Sequence, residues 1–322
     1  MLWPRRPTAS LALALGLGLA ARAQEPPPPD QQPEQSQPWS LDLTVHDFGV
    51  GIGNSRSVNG LRLNFRDVAP YTVRGVNLTL WTPAEPATGR VDGLALGLPL
   101  TGAGTIHGAG LGFGLGVAQD FDGVGLGVLG IGSGGALRGI FAGGLGVGTG
   151  GDIDGIALGG LGVGSGGTIR GLAVGGLGVG SGGGIHGVAI GGLGVGTGGD
   201  LDGLAVGGLG VGSGGTIRGA ALAGLGVGAP RVRGAIVALA AGSQDVTGVV
   251  LAPAYFDLDP QGSITGVSVS AFNRIRGEQH GLAIGVFNYT PSLHGVQVGL
   301  INWAGNNPSG LKLLPILNAH FD

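Results

Sequence analysis

The residues whose type and spacing first suggest chemistry are two aspartate pairs, Asp152 with Asp154 and Asp200 with Asp202, in GTGGDIDG and GTGGDLDG. Carboxylates following a Gly-Gly turn are what calcium takes in coiled nonapeptide repeats, where hard oxygen ligands come from successive turns. One unit further on, the same positions hold Thr168 and Arg170, or Thr216 and Arg218. A solvated column of alternating charge therefore competes with a cation site at all four aspartates. A second column, Ser133, Thr149, Ser165, Ser181, Thr197 and Ser213, offers one hydroxyl per unit. Such a rank on a flat face is one way to bind ice, although hydroxyls in glycine corners also satisfy turn amides. His107, His186, His280 and His294 each precede a repeat glycine and are expected to face outward. Their spacing brings no two together beside a carboxylate or serine, as a triad or metal site would require. The many GxGxxG matches lack a strand-to-helix setting and a following acid, so they are no nucleotide fingerprint. The chain is expected to be no enzyme and to carry no cofactor.

The element that positions these residues is a repeat. Gly60, Gly75, Gly93, Gly108, Gly123, Gly139, Gly155, Gly171, Gly187, Gly203, Gly219, Gly234, Gly248, Gly266, Gly281, Gly295 and Gly310 recur at nearly constant spacing. The interval is 16 throughout residues 123–219 and runs from 14 to 18 in the divergent stretches 60–122 and 220–322, the mark of a duplicated unit that drifted at both ends.

Composition agrees with an unusual scaffold. Glycine supplies 76 of 322 residues, aromatic residues 5% and charged residues 11%, unlike an ordinary globular domain or a charged disordered tail. Glycine does not fall at every third position, which excludes collagen. A net charge of −3 without a basic cluster argues against nucleic acid as a partner. The absence of cysteine removes disulfides and thiolate metal sites, so packing and backbone hydrogen bonds must hold the fold.

At the N-terminus, Arg5 and Arg6 precede an apolar run from Leu11 to Ala21, and Ala21-Arg22-Ala23 offers small residues for signal peptidase. Residues 1–23 are expected to be a signal peptide and residues 24–38, rich in Pro and Gln, an extended disordered spacer. The repeat domain then occupies 39–322, in an exported protein with no lipobox cysteine.

One unit, Thr168 to Gly183, reads TIRGLAVGGLGVGSGG. Alternation runs through Leu172-Ala173-Val174 and again through Leu177-Gly178-Val179, with a change of parity at Gly175-Gly176. A bend at that pair would send Ile169, Leu172, Val174, Leu177 and Val179 into one narrow core, and positive φ at Gly175 and Gly176 would supply the corner. The predicted fold is thus all-β, a β-solenoid of about seventeen coils of 14–18 residues with short parallel strands. At ~4.8 Å per coil it would form a rod roughly 80 Å long. The residue before each repeat glycine gives a check, since in the column His107, Asp122, Arg138, Asp154, Arg170, His186, Asp202, Arg218 and Arg233 carboxylates alternate with basic groups over the first stretch, as stacked neighbours should.

The alternative is an up-and-down outer-membrane β-barrel, because segments of about 15 residues also suit membrane strands. Membrane insertion is expected only in that case. Against it stand the parity change and the lack of aromatic girdles in the central block. Leu41–Gly53 is expected to cap the rod as a single first strand, and Leu311–Phe321, containing Pro315, to close it as an edge strand.

The last units read GLAIGVFNYTPSLH, GVQVGLINWAGNNPS and GLKLLPILNAHFD. Over residues 266–322 they resemble the bacterial exported surface repeat-containing proteins, whose unit is approximately Gly-Leu-Gln-x-Gly-Leu-x-Asn with a closing Leu-Pro-x-x-Asn. Asn273, Asn288 and Asn302 each lie seven residues after a repeat glycine, a count that makes Gly178 their equivalent in the central block. The resemblance implies an envelope or surface location and no catalysis. Read from the residues themselves, the three asparagines are a buried or corner ladder of amides bonding coil to coil. The expected function is that of a non-enzymatic structural or interaction repeat protein, with a solenoid binding polysaccharide, ice or another protein as a further possibility.

Overall fold

The computed structural model describes residues 39–68, 70–81 and 88–321. The expected signal peptide and spacer lie outside the described residues. Every regular element is a β-strand, with no helix among the described residues.

Between the two end strands, each strand pairs in parallel with its counterpart one unit away. Ile169–Gly175 lies between Ile153–Gly159 and Ile185–Gly191, while Gly178–Ser181 lies between Gly162–Ser165 and Gly194–Thr197, all shifted by one repeat. This is a parallel β-solenoid with a longer and a shorter strand in each central coil. The barrel alternative is overturned, because an up-and-down barrel pairs sequential strands antiparallel, and antiparallel pairing occurs here only at the two ends.

The repeat glycine marks a backbone conformation inside the longer strand. From Gly60 to Gly295 the sixteen repeat glycines have φ between 120° and 148°, a region that side chains with a Cβ rarely enter. A Cβ on Gly171 would also meet the carbonyl oxygen of Gly155 at 2.1 Å. Gly175 and Gly176, expected to need positive φ, do not have it. They are excluded from growing a side chain by crowding instead: a Cβ on Gly175 would lie 2.0 Å from the Gly178 oxygen, and one on Gly176 1.9 Å from the Gly160 oxygen. The bend follows at Gly176-Leu177, whose amides bond to Gly159 and Leu161 of the preceding coil at 3.1 and 2.6 Å.

The core is narrower than the alternation suggests. Ile169 and Ala173 are fully buried and Val179 nearly so, whereas Leu172 and Val174 are half-buried and Leu177 is 50% exposed. The alternation therefore assigned Leu172, Val174 and Leu177 to the wrong side. Strand parity carries Ile169, Ala173 and Gly175 inward together, and the interior has room for alanine, not leucine, at the middle position. Where that position holds Phe141, the coil before it has Gly125, whose Cβ would fall 2.9 Å from the ring. Volume is balanced between neighbouring coils, as close packing demands.

The ends differ from expectation in detail. Leu41–Gly53 is two strands, Ser40–Val45 and Phe48–Gly53, forming an antiparallel hairpin with His46 and Asp47 at φ 52° and 65° in its turn. Gly49 thereby joins the glycine column one place before Gly60. At the other end Leu313–His320 folds back antiparallel on Ser292–Ala304, and Gly310 lies in the connecting turn rather than in the column.

Candidate interaction surface

The residues preceding the repeat glycines do form an outward column, in which arginines bond the aspartates of the coil before. Arg170 Nη1 donates to Asp152 Oδ2 at 3.0 Å and to Asp154 Oδ1 at 2.9 Å, both in the coil before. Arg218 grips Asp200 and Asp202 in the same way at 2.9 and 2.8 Å, and Arg138 grips Asp120 and Asp122. The other oxygen of Asp152 accepts the Thr168 N–H at 2.7 Å, and that of Asp200 the Thr216 N–H at 2.7 Å. These backbone donors first, and the arginines next, hold both carboxyls below the ordinary carboxylate range. At all four calcium candidates the oxygens face arginine, and no cluster of three metal-type side chains occurs among the described residues.

The hydroxyl column is likewise engaged. Ser165, Ser181 and Ser213 donate to the carbonyls of Gly151, Gly167 and Gly199 at 2.7–2.8 Å, and Thr197 to that of Gly183 at 2.6 Å. Bonded into the corner and partly buried, these groups do not form an open rank for water.

The histidines depart from expectation at the C-terminal end. His280 stacks on His294 at 4.7 Å, because they are register neighbours. Glu278 lies 3.2 Å from His280 and Ser292 3.2 Å from His294. Counting missed this because adjacent coils bring every residue of the column side by side.

Asn273, Asn288 and Asn302 are fully buried. Asn273 Nδ2 donates to Asn288 Oδ1, and Asn288 Nδ2 to Asn302 Oδ1, each at 2.7 Å. Their register partner is not Gly178. The column runs from Val179 through Val195, Val211, Val227, Ala241 and Phe256 to Asn273. The C-terminal corners are one residue shorter, so counting seven from the glycine lands on an inward position there and an outward one in the centre.

A polar core in the first coils escaped the sequence reading altogether. Arg62 is fully buried, 4.1 Å above the Tyr71 ring, and donates to Asp67 at 2.5 Å and Asn77 at 2.9 Å. Burial pushes the Tyr71 phenol well above its usual value. Arg62 and Asn77 occupy the inward position two residues after the repeat glycine, the one held by Ala173. Knowing that this position faces in would have found them.

With the polar columns engaged in the fold, the distinctive exterior is apolar. The positions one and three after the repeat glycine are aliphatic without interruption from Ile140 and Ala142 to Val296 and Val298. At the corner, Leu145, Leu161, Leu177, Leu193, Leu209 and Leu225 stand 49–55% exposed in a row. Small residues at Ala142, Gly143 and Gly144 open a groove of about 810 Å³ between Leu126, Phe113 and Leu158.

No protein-family model, curated protein or solved structure matches this chain.

Beyond the leucine row the surface becomes bare. Gly148, Gly164, Gly180, Gly196, Gly212, Gly228 and Gly242 face outward in one column, and a Cβ on any of them would meet nothing within 4 Å. In the last coils the same column holds Asp257, Arg274, Tyr289 and Trp303, the last two stacked at 4.5 Å. The position accepts large side chains, so neither φ nor internal packing requires glycine in the centre. A ridge of leucine beside a furrow of glycine is suited to binding an apolar or flat surface and offers no group for catalysis.

Proposed function

We propose that this is a non-enzymatic, exported interaction or structural repeat protein of the bacterial envelope or cell surface. The observation that carries the reading is the unbroken row of half-exposed leucines from Leu145 to Leu225, since contiguous apolar exterior on this scale marks a surface that meets a partner. Support for export comes from the arginine-led apolar N-terminal run and the following spacer, and from the likeness of residues 266–322 to exported surface repeat proteins. The engaged arginines, aspartates and hydroxyls leave apolar contact as the leading mode of association.

The test is to express the chain with a C-terminal tag in a Gram-negative bacterium and follow its processing and location. The expected result is loss of residues 1–23 and recovery outside the cytoplasm. An unprocessed cytoplasmic protein would overturn the reading.

A further inference from the structure

We propose that the N-terminal coils carry a binding pocket for a free aliphatic carboxylate, held by an apolar floor and by Arg66. The site lies apart from the row Leu145 to Leu225, and the proposal goes beyond the interaction reading built on that row.

The floor is set by register. Ile52, Leu63 and Leu78 stand three residues after Gly49, Gly60 and Gly75, and strand pairing places them side by side on the outer face. The Trp39 ring lies over Gly53, where a Cβ would meet it at 3.0 Å, and Phe65 stacks in parallel on Trp81 at 6.2 Å. With Trp39 and Phe65 as aromatic walls, the floor lines a pocket of about 560 Å³. That is the size and the lining of a small-molecule site, mainly apolar and aromatic with few polar groups.

The loop of residues 64–68, which supplies Phe65 and Arg66, is fastened from the inside by the buried polar core. Asp67 is buried and accepts from Arg62, from Asn64 Nδ2 at 2.8 Å and from Thr79 Oγ1 at 2.9 Å. Asn54 Oδ1 accepts the Val68 N–H at 3.2 Å and lies 3.0 Å from Asn64 Nδ2. A buried ion pair adds little stability over well-packed apolar residues, and the central coils hold alanine where Arg62 stands. What the pair does here is fix a surface loop, the support that a binding wall requires.

Charge selects the ligand. Arg66 is the only charged residue lining the pocket, is exposed, and has no ion-pair partner among the described residues. The acid beside it, Asp67, is committed to Arg62, and Asp42 accepts from Ser55. An apolar floor beside a guanidinium with no acid of its own matches a molecule with an aliphatic body and a carboxylate end, which arginine takes through paired N–H donors.

The test is isothermal titration calorimetry of the full chain with decanoate, below its micelle concentration, and with decanamide as the uncharged analogue. The proposal expects one decanoate per chain, bound at least about 10-fold more tightly than decanamide. Arg66→Gln, at an exposed side chain, should remove that preference and leave decanamide binding as it was. Leu63→Gln should weaken both probes by at least about 10-fold. No saturable binding to the wild type, equal affinity for the two probes, or a preference for decanoate that survives Arg66→Gln would overturn the proposal. Several molecules bound per chain and unaffected by Leu63→Gln would place the probe on the leucine row and overturn it equally. Arg66→Gln decides the matter alone if Leu63→Gln fails to fold.

Discussion

Gly171 lies so close to Gly155 of the preceding coil that a Cβ on it would come 2.1 Å from the Gly155 carbonyl oxygen. The period of the sequence is the period of this contact, repeated along the column with φ in the region only glycine enters freely.

Two glycines nine residues apart should therefore respond oppositely to substitution. Gly171→Ala combines strained φ with a backbone clash and should cost about 1–3 kcal/mol or more. Gly180→Thr meets open space on a strand and should be neutral or stabilising by up to ~1 kcal/mol. Thermal melting of the two single variants gives the comparison. Gly175→Val with Gly176→Val should also disrupt the central coils, through contact with the Gly178 and Gly160 oxygens rather than through φ.

The arginine clamps predict a calcium response that depends on mutation. In the wild type Arg170 occupies Asp152 and Asp154, so millimolar calcium should leave the melting temperature unchanged. Arg170→Ala removes the guanidinium that bonds both carboxylates, leaving Arg138 as the register neighbour of Asp154 on the other side, and calcium should then raise the melting temperature of that variant. A shift in the wild type would show that calcium displaces the arginine.

The same carboxyls set an acid limit. Asp120, Asp152 and Asp200 are held below the ordinary value of 3.8 by the N–H groups of Ala136, Thr168 and Thr216, and then by arginine. A carboxyl lowered in the folded state contributes stability that is complete above its unfolded pKa and is lost as pH falls through the folded one. Melting temperature should be level above about pH 5 and decline below about pH 4. Replacing all three aspartates by asparagine should flatten that decline.

At the C-terminal end, Asn288→Leu should cost about 1–3 kcal/mol, because it leaves the Asn302 Oδ1 without its donor in a fully buried ladder, while Asn273 Nδ2 keeps the carbonyls of Ser270 and Ile284. Hydrogen exchange should show the loss first in residues 278–304.

The repeat, the coil and the sign alternation of the Arg170 column were legible because each is a matter of spacing, and spacing survives in glycine and charge. The inside and outside of the coil were not. Leucine is larger and more apolar than alanine, so Leu172 and Val174 look like core, yet the interior is too narrow for them and takes Ala173. The same misassignment hid Arg62 and Asn77, which share Ala173's inward position. Register across coils of unequal length was equally hidden, because one residue lost at a corner moves Asn273 from the Gly178 column to that of Val179. Contacts between whole coils, such as His280 on His294, follow only once the stacking is known.

The most direct test of the account is electron–electron distance measurement between spin labels placed on the leucine row, which the absence of native cysteine makes clean. Leu145→Cys with Leu225→Cys spans five coils and Leu129→Cys with Leu239→Cys seven, so at ~4.8 Å per coil the separations should be roughly 24 and 34 Å between attachment points. Measured under conditions where the protein is monomeric, narrow distributions that lengthen with coil number are predicted. Distances that do not grow with the number of intervening coils would contradict a parallel solenoid and the continuous apolar ridge built on it.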